Sequence, residues 1–550
     1  MARDKVAEPV RPSTMKELKD TLWKAADKLR GSMEASQYKD VVLGLIFLKY
    51  VSDAFDERQR EIRAELEAAG WDAQAINDTL TDKDEYTGSR VFWVPAEARW
   101  RYLAERAKVA DGTTIGQRLD TAMDGLVAHN PQLTGALSRM YNRDFVDQRR
   151  LAELIDLLNT VQFAGQGAAG ARDLLGEVYE YFVARFALAE GRRGGEFYTP
   201  ASVVRVLVEM LQPWGGRVYD PCCGSGGMFV QAERFLAAHH REGNEIAVYG
   251  QEAIERTWRL AKMNLAIHAI QGNLGSRWGD TFGIDYHAGI QMDYVLANPP
   301  FNVKDWNRRE DDARWRYGVP PARNANYGWL QHIISKLSPS GTAGVVLANG
   351  SMTSNSGGEG QIRAQLVEND LVTCMIALPD KLFRSTGIPV CLWFFDRNKN
   401  ARPGYQTDRR GQVLFIDARE LGHMVTRAER AFSTADIRRI ADTYHAWRGM
   451  PIEQVATADI TLDESLDEQP PEEPLAYEDV PGFCRSVTLA EIKDAGYALT
   501  PGRYVGMAEP DEDDEPLDEK IARLTVELEE QFAESDRLQR VVQEQLRRVL

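Results

Sequence analysis

A chain of 550 residues, 43% of them hydrophobic, is too long for one core and implies two or three domains. It has no apolar run long enough to span a bilayer, and the stretch from Met1 to Lys16 carries charges and prolines but no secretory apolar core, so no membrane association is expected. A formal net charge of −17 argues against a protein that coats nucleic acid unaided, and five cysteines without a CxxC pair (Cys222, Cys223, Cys374, Cys391, Cys484) fit a reducing cytoplasm with neither disulfide framework nor zinc site.

Residues 15–69 read as helices: Leu18, Leu22, Ala25, Ala26 and Leu29 recur at helical spacing, and YKDVVLGLIFLKYVSDAFDER follows as a strongly apolar helix. Helical patterning runs on through RDFVDQRRLAELIDLLNTV and stops at the glycine-rich FAGQGAAGARD, which predicts an α-helical N-terminal domain over 1–160. From 172 the pattern changes. A helix, DLLGEVYEYFVARFA, leads to GRRGGEFYTP, and then GRVYDPCCG, IAVYGQE, DYVLANPP, GTAGVVLANG, LVTCMIALP, VCLWFFDR and QVLFIDAR read as strands. Their alternation with helices predicts an α/β catalytic domain over 161–462, a Rossmann-like, doubly wound parallel sheet with ligands at the strands' C-terminal ends. Two acidic, proline-bearing segments at 463–480 and 508–516 read as solvated linkers, within an acidic linker and C-terminal extension over 463–516. Over 517–550, Leu517, Ile521, Leu524, Leu528, Leu538 and Val542 step by roughly three and four, with Gln531 and Ser535 interrupting, as in a coiled-coil-type helix. Such a helix either docks on a partner or folds back on this chain.

Three strand ends and one turn carry chemistry. In VYDPCCGSGG a strand ends at Asp220, and Gly224, Gly226 and Gly227 lead into a helix, so backbone can approach a ligand closely. The loop is neither G-x-G-x-x-G nor a phosphate loop. The next strand places Glu252 at its tip, where a carboxylate commonly meets ribose hydroxyls. WGDTF supplies Asp280, a turn residue or a contact for a base. NPPF (298–301) closes the fourth strand with two prolines that can neither extend it nor start a helix. A stiff tip of this kind suits methyl transfer to an exocyclic aromatic amine, whose lone pair is delocalised into its ring. The Asn298 side-chain carbonyl accepts one amine hydrogen and the Pro299 carbonyl the other, while Phe301 stacks on a base flipped out of the duplex. In the loop FNVKDWNRREDDARWRYG (301–318), Lys304, Arg308, Arg309, Arg314 and Arg316 interleave with Trp306 and Trp315. Four carboxylates (Asp305, Glu310, Asp311, Asp312) dilute them, which leaves DNA contact and a solvated loop both open.

NPPF resembles the catalytic motif of amino-group S-adenosylmethionine-dependent methyltransferases, and DPCCGSGG resembles their cofactor loop. GGEFYTP (194–200) is similar to the segment that contacts the cofactor's methionine end, and the motif order is that of gamma-class adenine-N6 DNA methyltransferases. The N-terminal LWKAADKLRG and YKDVVLGLIFLKYVSDAF, with ALPDKLFRSTGIPVCLWFF and LTPGRYVG, resemble type I restriction–modification methyltransferase (M) subunits, so the likeness spans about 15–506. The resemblance implies that Glu196, Phe197, Tyr198, Thr199, Pro200 and Ala201 line the amino-acid portion of S-adenosylmethionine. It also implies that Asp220, Gly224, Ser225, Gly226 and Gly227 border the methionine and sulfonium, that Glu252 binds the ribose, and that Asp280 binds the adenine. Asn298, Pro299 and Phe301 would hold the target adenine of double-stranded DNA. A specificity (S) subunit would choose the site, with two M copies around one S, and a restriction (R) subunit is a further partner the resemblance allows. Cys222 and Cys223 depart from the family's usual Ala, Thr or Ser but are small enough to fit. Other readings remain: a cytosine-C5 enzyme using a Pro-Cys nucleophile, a release-factor glutamine methyltransferase, an RNA-adenine enzyme, or a non-catalytic scaffold. The cysteine's place inside the glycine loop speaks against the first, chain length against the second, and the intact Asn298, Asp220 and Glu252 against the last.

Overall fold

The computed structural model describes residues 19, 23, 27, 35–159, 178–183, 185–186, 199–239, 246–383, 389–402, 406–427, 429–450, 476–507 and 537. The N-terminal part is helical and centres on α1 (Ala35–Ala68). Residues 41–52 of α1 are all buried, so this turn-rich apolar run forms the middle of a core and not one face of a surface helix. Around it lie α2 (Ala73–Leu80), α3 (Trp100–Arg106), α4 (Ile115–His129) and α5 (Gln148–Asn159), whose apolar residues share that core. Gly44 makes one close approach possible: a Cβ there would lie 2.2 Å from the Tyr141 hydroxyl, which donates to Val41 O at 3.3 Å. Thr114 and Gln117 close the start of α4 with a reciprocal capping box.

The second part is a nine-stranded sheet flanked by helices on both faces. In chain order come α6 (Ala201–Leu211), β1 (Gly216–Asp220), α7 (Gly227–Ala238), β2 (Ile246–Gly250), α8 (Glu255–Ile267), β3 (Gly272–Asn273) and β4 (Met292–Ala297). There follow α9 (Asn326–Lys336), β5 (Leu337–Ala348), α10 (Glu359–Glu368), β6 (Val372–Ala377), β7 (Val390–Asp396) and β8 (Gln412–Asp417). A small hairpin, β9 (His423–Thr426) with β10 (Glu429–Ala431), precedes α11 (Thr434–Arg448) and β11 (Cys484–Thr488). The strand order is β11-β8-β6-β7-β5-β4-β1-β2-β3. Every predicted strand is present, but the sheet is mixed where a parallel one was expected: β7 runs antiparallel to β5 and β6, and β11 antiparallel to β8. The cause is the connection. No helix stands between β6 and β7 among the described residues, so the chain turns back alongside β6 without the crossover that parallel strands need.

One face packs on α6, α7, α8 and α11, the other on α9 and α10. Helix α8 is apolar on two sides. Trp258, Ala261 and Leu265 face the sheet core, while Leu260, Met263 and Ile267 enter the helical core. Polar ties reinforce that seam: Tyr50 Oη donates to Ile267 O at 2.8 Å, Tyr179 Oη to Leu260 O at 3.3 Å, and Asp40 pairs with Arg256 at 3.2 Å. Among the described residues no helix is long and apolar enough to cross a membrane, and no cluster of metal-ligating side chains exists.

Candidate active site

Chain order reverses at β1, which lies between β2 and β4, so a crevice opens above the carboxyl ends of these strands. There a cavity of about 260 Å³ is lined by Cys222, Gly224 and Ser225 after β1, Glu252 after β2, Asp280 after β3, and Asn298 after β4. Gly224 and Gly226 have φ of +54° and +79°, a left-handed backbone that only glycine adopts without strain, and Gly226 caps α7. Glu252, 8% exposed, holds this loop: its carboxylate accepts from Gly224 N at 3.0 Å and Ile254 N at 2.8 Å. Asn264 of α8 donates to Ser225 O at 2.9 Å from the other side. Asp220 accepts from Cys222 N at 3.0 Å. Burial pushes its carboxyl up to about 7; the Glu252 charge adds to the rise and the Cys222 N–H opposes it.

Asn298 is buried at the tip of β4. Its Nδ2 donates to Thr199 Oγ1 at 2.8 Å, which fixes the amide plane, and its Oδ1 has no partner among the described residues. A buried, unsatisfied carbonyl oxygen costs free energy that folding alone does not recover, so it marks a place where a donor is received. Trp306 and Trp329, which also line the cavity, likewise keep buried indole N–H groups without a partner among the described residues. Phe301 is half-buried and meets Phe383 edge-on, ring centroids 6.3 Å apart.

The loop after β4 turns much of its predicted DNA-facing chemistry inward. Trp306 and Trp315 pack around Phe282, at 4.6 and 6.2 Å between centroids, and Trp329 joins them at 4.3 Å. Arg314 is a clamp: it donates to Thr281 O at 2.9 Å, Phe282 O at 3.1 Å and His332 Nδ1 at 3.1 Å, and pairs with Asp312 at 2.6 Å. Since arginine only donates, His332 carries its proton on Nε2 and gives it to the Tyr219 hydroxyl 3.1 Å away. Complete burial together with the Arg314 charge holds this imidazole neutral, its pKa lowered to about 3. Arg308 is engaged too, by Pro320 O at 2.7 Å, whereas Lys304, Arg309 and Arg316 are exposed.

The structure thus brings Gly224, Ser225, Glu252, Asp280 and Asn298 around one cavity. Asp220, Gly226 and Gly227 stand behind that wall, as does Thr199 through Asn298; Pro200 and Ala201 begin α6. Pro299 and Phe301 adjoin the lining without forming it. Glu196, Phe197, Tyr198, residues 463–475 and 508–516 of the extension and the 517–550 helix (Arg537 excepted) lie outside the described residues. Sequence reasoning missed Phe282, Trp329 and Lys39, all in the cavity wall. Phe282 sat two residues past Asp280 in WGDTF, and Lys39 was a lone cation at the head of an apolar helix.

A strand order of 3-2-1-4-5-7-6 with antiparallel β7, the glycine loop after β1 and acidic residues in the loops after β2 and β3 define a class: the S-adenosylmethionine-dependent methyltransferase fold. Comparison with known proteins narrows it. The N-6 DNA methylase family model matches residues 170–513, and the HsdM N-terminal domain model matches 18–158. The chain is 44% identical over 470 residues to the type I restriction enzyme HindI methylase subunit of Haemophilus influenzae, covering 82% of this chain and 99% of that one. It is 36% identical over 542 residues to the MjaIX methylase subunit of Methanocaldococcus jannaschii, covering 96% and 90%. The type I restriction–modification methyltransferase subunit of Streptococcus thermophilus shares the fold, with a TM-score of 0.69 at 24% identity over 90% of this chain and 100% of that chain. The chain belongs to the N-6 DNA methylase family, as a type I restriction enzyme methylase subunit that methylates adenine N6 in DNA.

Proposed function

We propose that the cavity takes S-adenosylmethionine, and that Asn298 and the Pro299 carbonyl hold the amine of an adenine flipped out of double-stranded DNA. The bound cofactor supplies a methyl group on a sulfonium. One observation supports the reading best: the buried Asn298 Oδ1 has its amide partner fixed by Thr199 and no donor of its own among the described residues. An amine hydrogen donated there turns the nitrogen lone pair out of the base plane. Alignment, not deprotonation, is then what the residue contributes. Phe301 stacks on the base. Glu252 takes the ribose hydroxyls and Asp280 the adenine of the cofactor. Asp220, Gly224, Ser225, Gly226 and Gly227 border its sulfonium, while Thr199, Pro200 and Ala201, with Glu196, Phe197 and Tyr198, border its amino-acid portion.

The working division of the chain is a helical domain over 1–160, a catalytic domain over 161–462, an acidic extension over 463–516 that lends β11 to the catalytic sheet, and a docking helix over 517–550. The relatives are methylase subunits of type I restriction enzymes, which supports assembly with the other subunits of such an enzyme; the arrangement proposed is two copies of this chain to one specificity subunit, with a restriction subunit beyond them. Much of the DNA affinity then belongs to that partner, in keeping with a net charge of −17 here. Replacing Asn298 with Ala tests the core of the reading. Methyl transfer to adenine falls about 100- to 1000-fold while calorimetric cofactor affinity is retained. Transfer near the native rate removes Asn298 from the mechanism.

A further inference from the structure

We infer that Lys39, on α1 of the helical region, is the counter-charge for the carboxylate at the cofactor's methionine end, so that the helical region completes the cofactor site. The inference rests on the cofactor reading above and adds a residue that no strand-tip motif supplies.

Lys39 is 4% exposed, a rare condition for a lysine, and it lines the cavity together with Val183 and, from the glycine loop, Ser225. Among the described lining residues Lys39 is the sole lysine or arginine, against the carboxylates of Glu252, Asp280 and Asp305. S-adenosylmethionine carries a sulfonium, an ammonium and one carboxylate. The acidic tips suit its hydroxyls and positive groups, but its carboxylate entering the same cavity meets like charge unless a cation receives it. Glu252 is already fixed by two backbone N–H groups, and Asp280 belongs to the aromatic side with Phe282. With the adenine at Asp280, the methionine end falls toward Ser225 and Lys39.

The helix that carries Lys39 is also held in place. Asp40, the next residue, pairs with Arg256 at 3.2 Å, and Tyr50 donates to Ile267 O at 2.8 Å, so α1 is fastened to α8. The same α8 grips the glycine loop through Asn264 and Ser225 O at 2.9 Å. One helix therefore sets both the loop and the cation, and retention of cofactor is coupled to docking of the helical region.

Two probes separate a carboxylate contact from a structural role: S-adenosylhomocysteine, and 5′-methylthioadenosine, which keeps adenine, ribose and thioether but lacks the amino-acid portion. Calorimetric titration of full-length Lys39→Met and Lys39→Gln shows the dissociation constant for S-adenosylhomocysteine rising about tenfold or more, that for 5′-methylthioadenosine changing by less than about twofold, and Lys39→Arg recovering most of the loss. The 5′-methylthioadenosine arm also reports that the cavity of each variant is intact. Equal weakening of both ligands, or no weakening of either, overturns the assignment. Failure of the native chain to bind either ligand overturns the cofactor reading itself, and this inference with it.

Discussion

The cavity has two walls built on different principles. The sheet wall is a set of strand tips where backbone geometry decides everything: Gly224 N and Ile254 N are spent on Glu252, and Asn298 is pinned by Thr199. The helical wall is the outer face of α8, an apolar seam in which Leu260 and Met263 belong to a core made mostly by residues 38–186. Polar atoms left open in the first wall await a ligand, while the second is closed by packing. Substitutions of apolar residues in the helical wall therefore register mainly as stability, whereas those of polar residues in the sheet wall reach the chemistry as well.

The largest effect tests the helical wall. Leu260 is 2% exposed, sits in the helical core and lends its carbonyl to the Tyr179 hydroxyl. Leu260→Ala trims a buried isobutyl side chain to a methyl at a junction of two cores and lowers the free energy of unfolding by about 2–5 kcal/mol, as read from urea or thermal melting. A loss below about 1 kcal/mol means that α8 is not a packed seam, and the contrast between the walls collapses.

A smaller effect of opposite sign comes from the sheet wall. The Asp220 carboxyl is raised to about 7 by burial first and by the Glu252 charge. The folded, ligand-free protein thus binds this proton more tightly than the unfolded chain does, whose value is near 4. Stability from this group is greatest below about pH 4, falls as pH rises toward 7, and is fully lost above that. Asp220→Asn abolishes the dependence: at pH 8 the ligand-free variant is more stable than the native chain by on the order of 1–3 kcal/mol, and the two converge near pH 4. Its affinity for the cationic cofactor falls at the same time and loses its rise between pH 6 and 8. A variant that gains nothing in stability at pH 8 places the carboxylate in a better solvated site than its 2% exposure indicates.

What could be read from the sequence divides along the same line. Asp220, Glu252 and Asn298 were legible because each closes a short apolar run, and a strand tip is a local event written in adjacent residues, whereas Asp280, in a turn, drew its reading from those neighbouring tips. Lys39 was not, since nothing in YKDVV tells that α1 will pass within reach of a loop nearly 190 residues later. The basic-aromatic loop left two readings open for another reason: Trp306, Trp315 and Arg314 have the composition of a nucleic-acid contact, and only the fold shows that Phe282 and two backbone carbonyls engage them. Strand β3 has two residues and β11 lies far from the rest, too short or too remote for periodicity to find. Antiparallel β7 follows from a connection that holds no crossover helix among the described residues, which the strand patterns alone do not display.

The smallest effect probes the hydrogen bond that turns a strand-tip amide into an oriented group. Thr199 Oγ1 accepts from Asn298 Nδ2 at 2.8 Å, and this bond decides which end of the amide faces the cavity. Thr199→Val keeps the shape and removes the acceptor. Asn298 can then turn its NH₂ toward the substrate amine, donor against donor, in part of the population. The loss is about 1 kcal/mol, a several-fold drop in kcat at saturating cofactor with little change in KM for DNA, and Thr199→Ser keeps most of the rate. An unchanged kcat in Thr199→Val means that the orientation of Asn298 is set by the Pro-Pro backbone alone, and the strand tip needs no side chain from α6's leading turn to work.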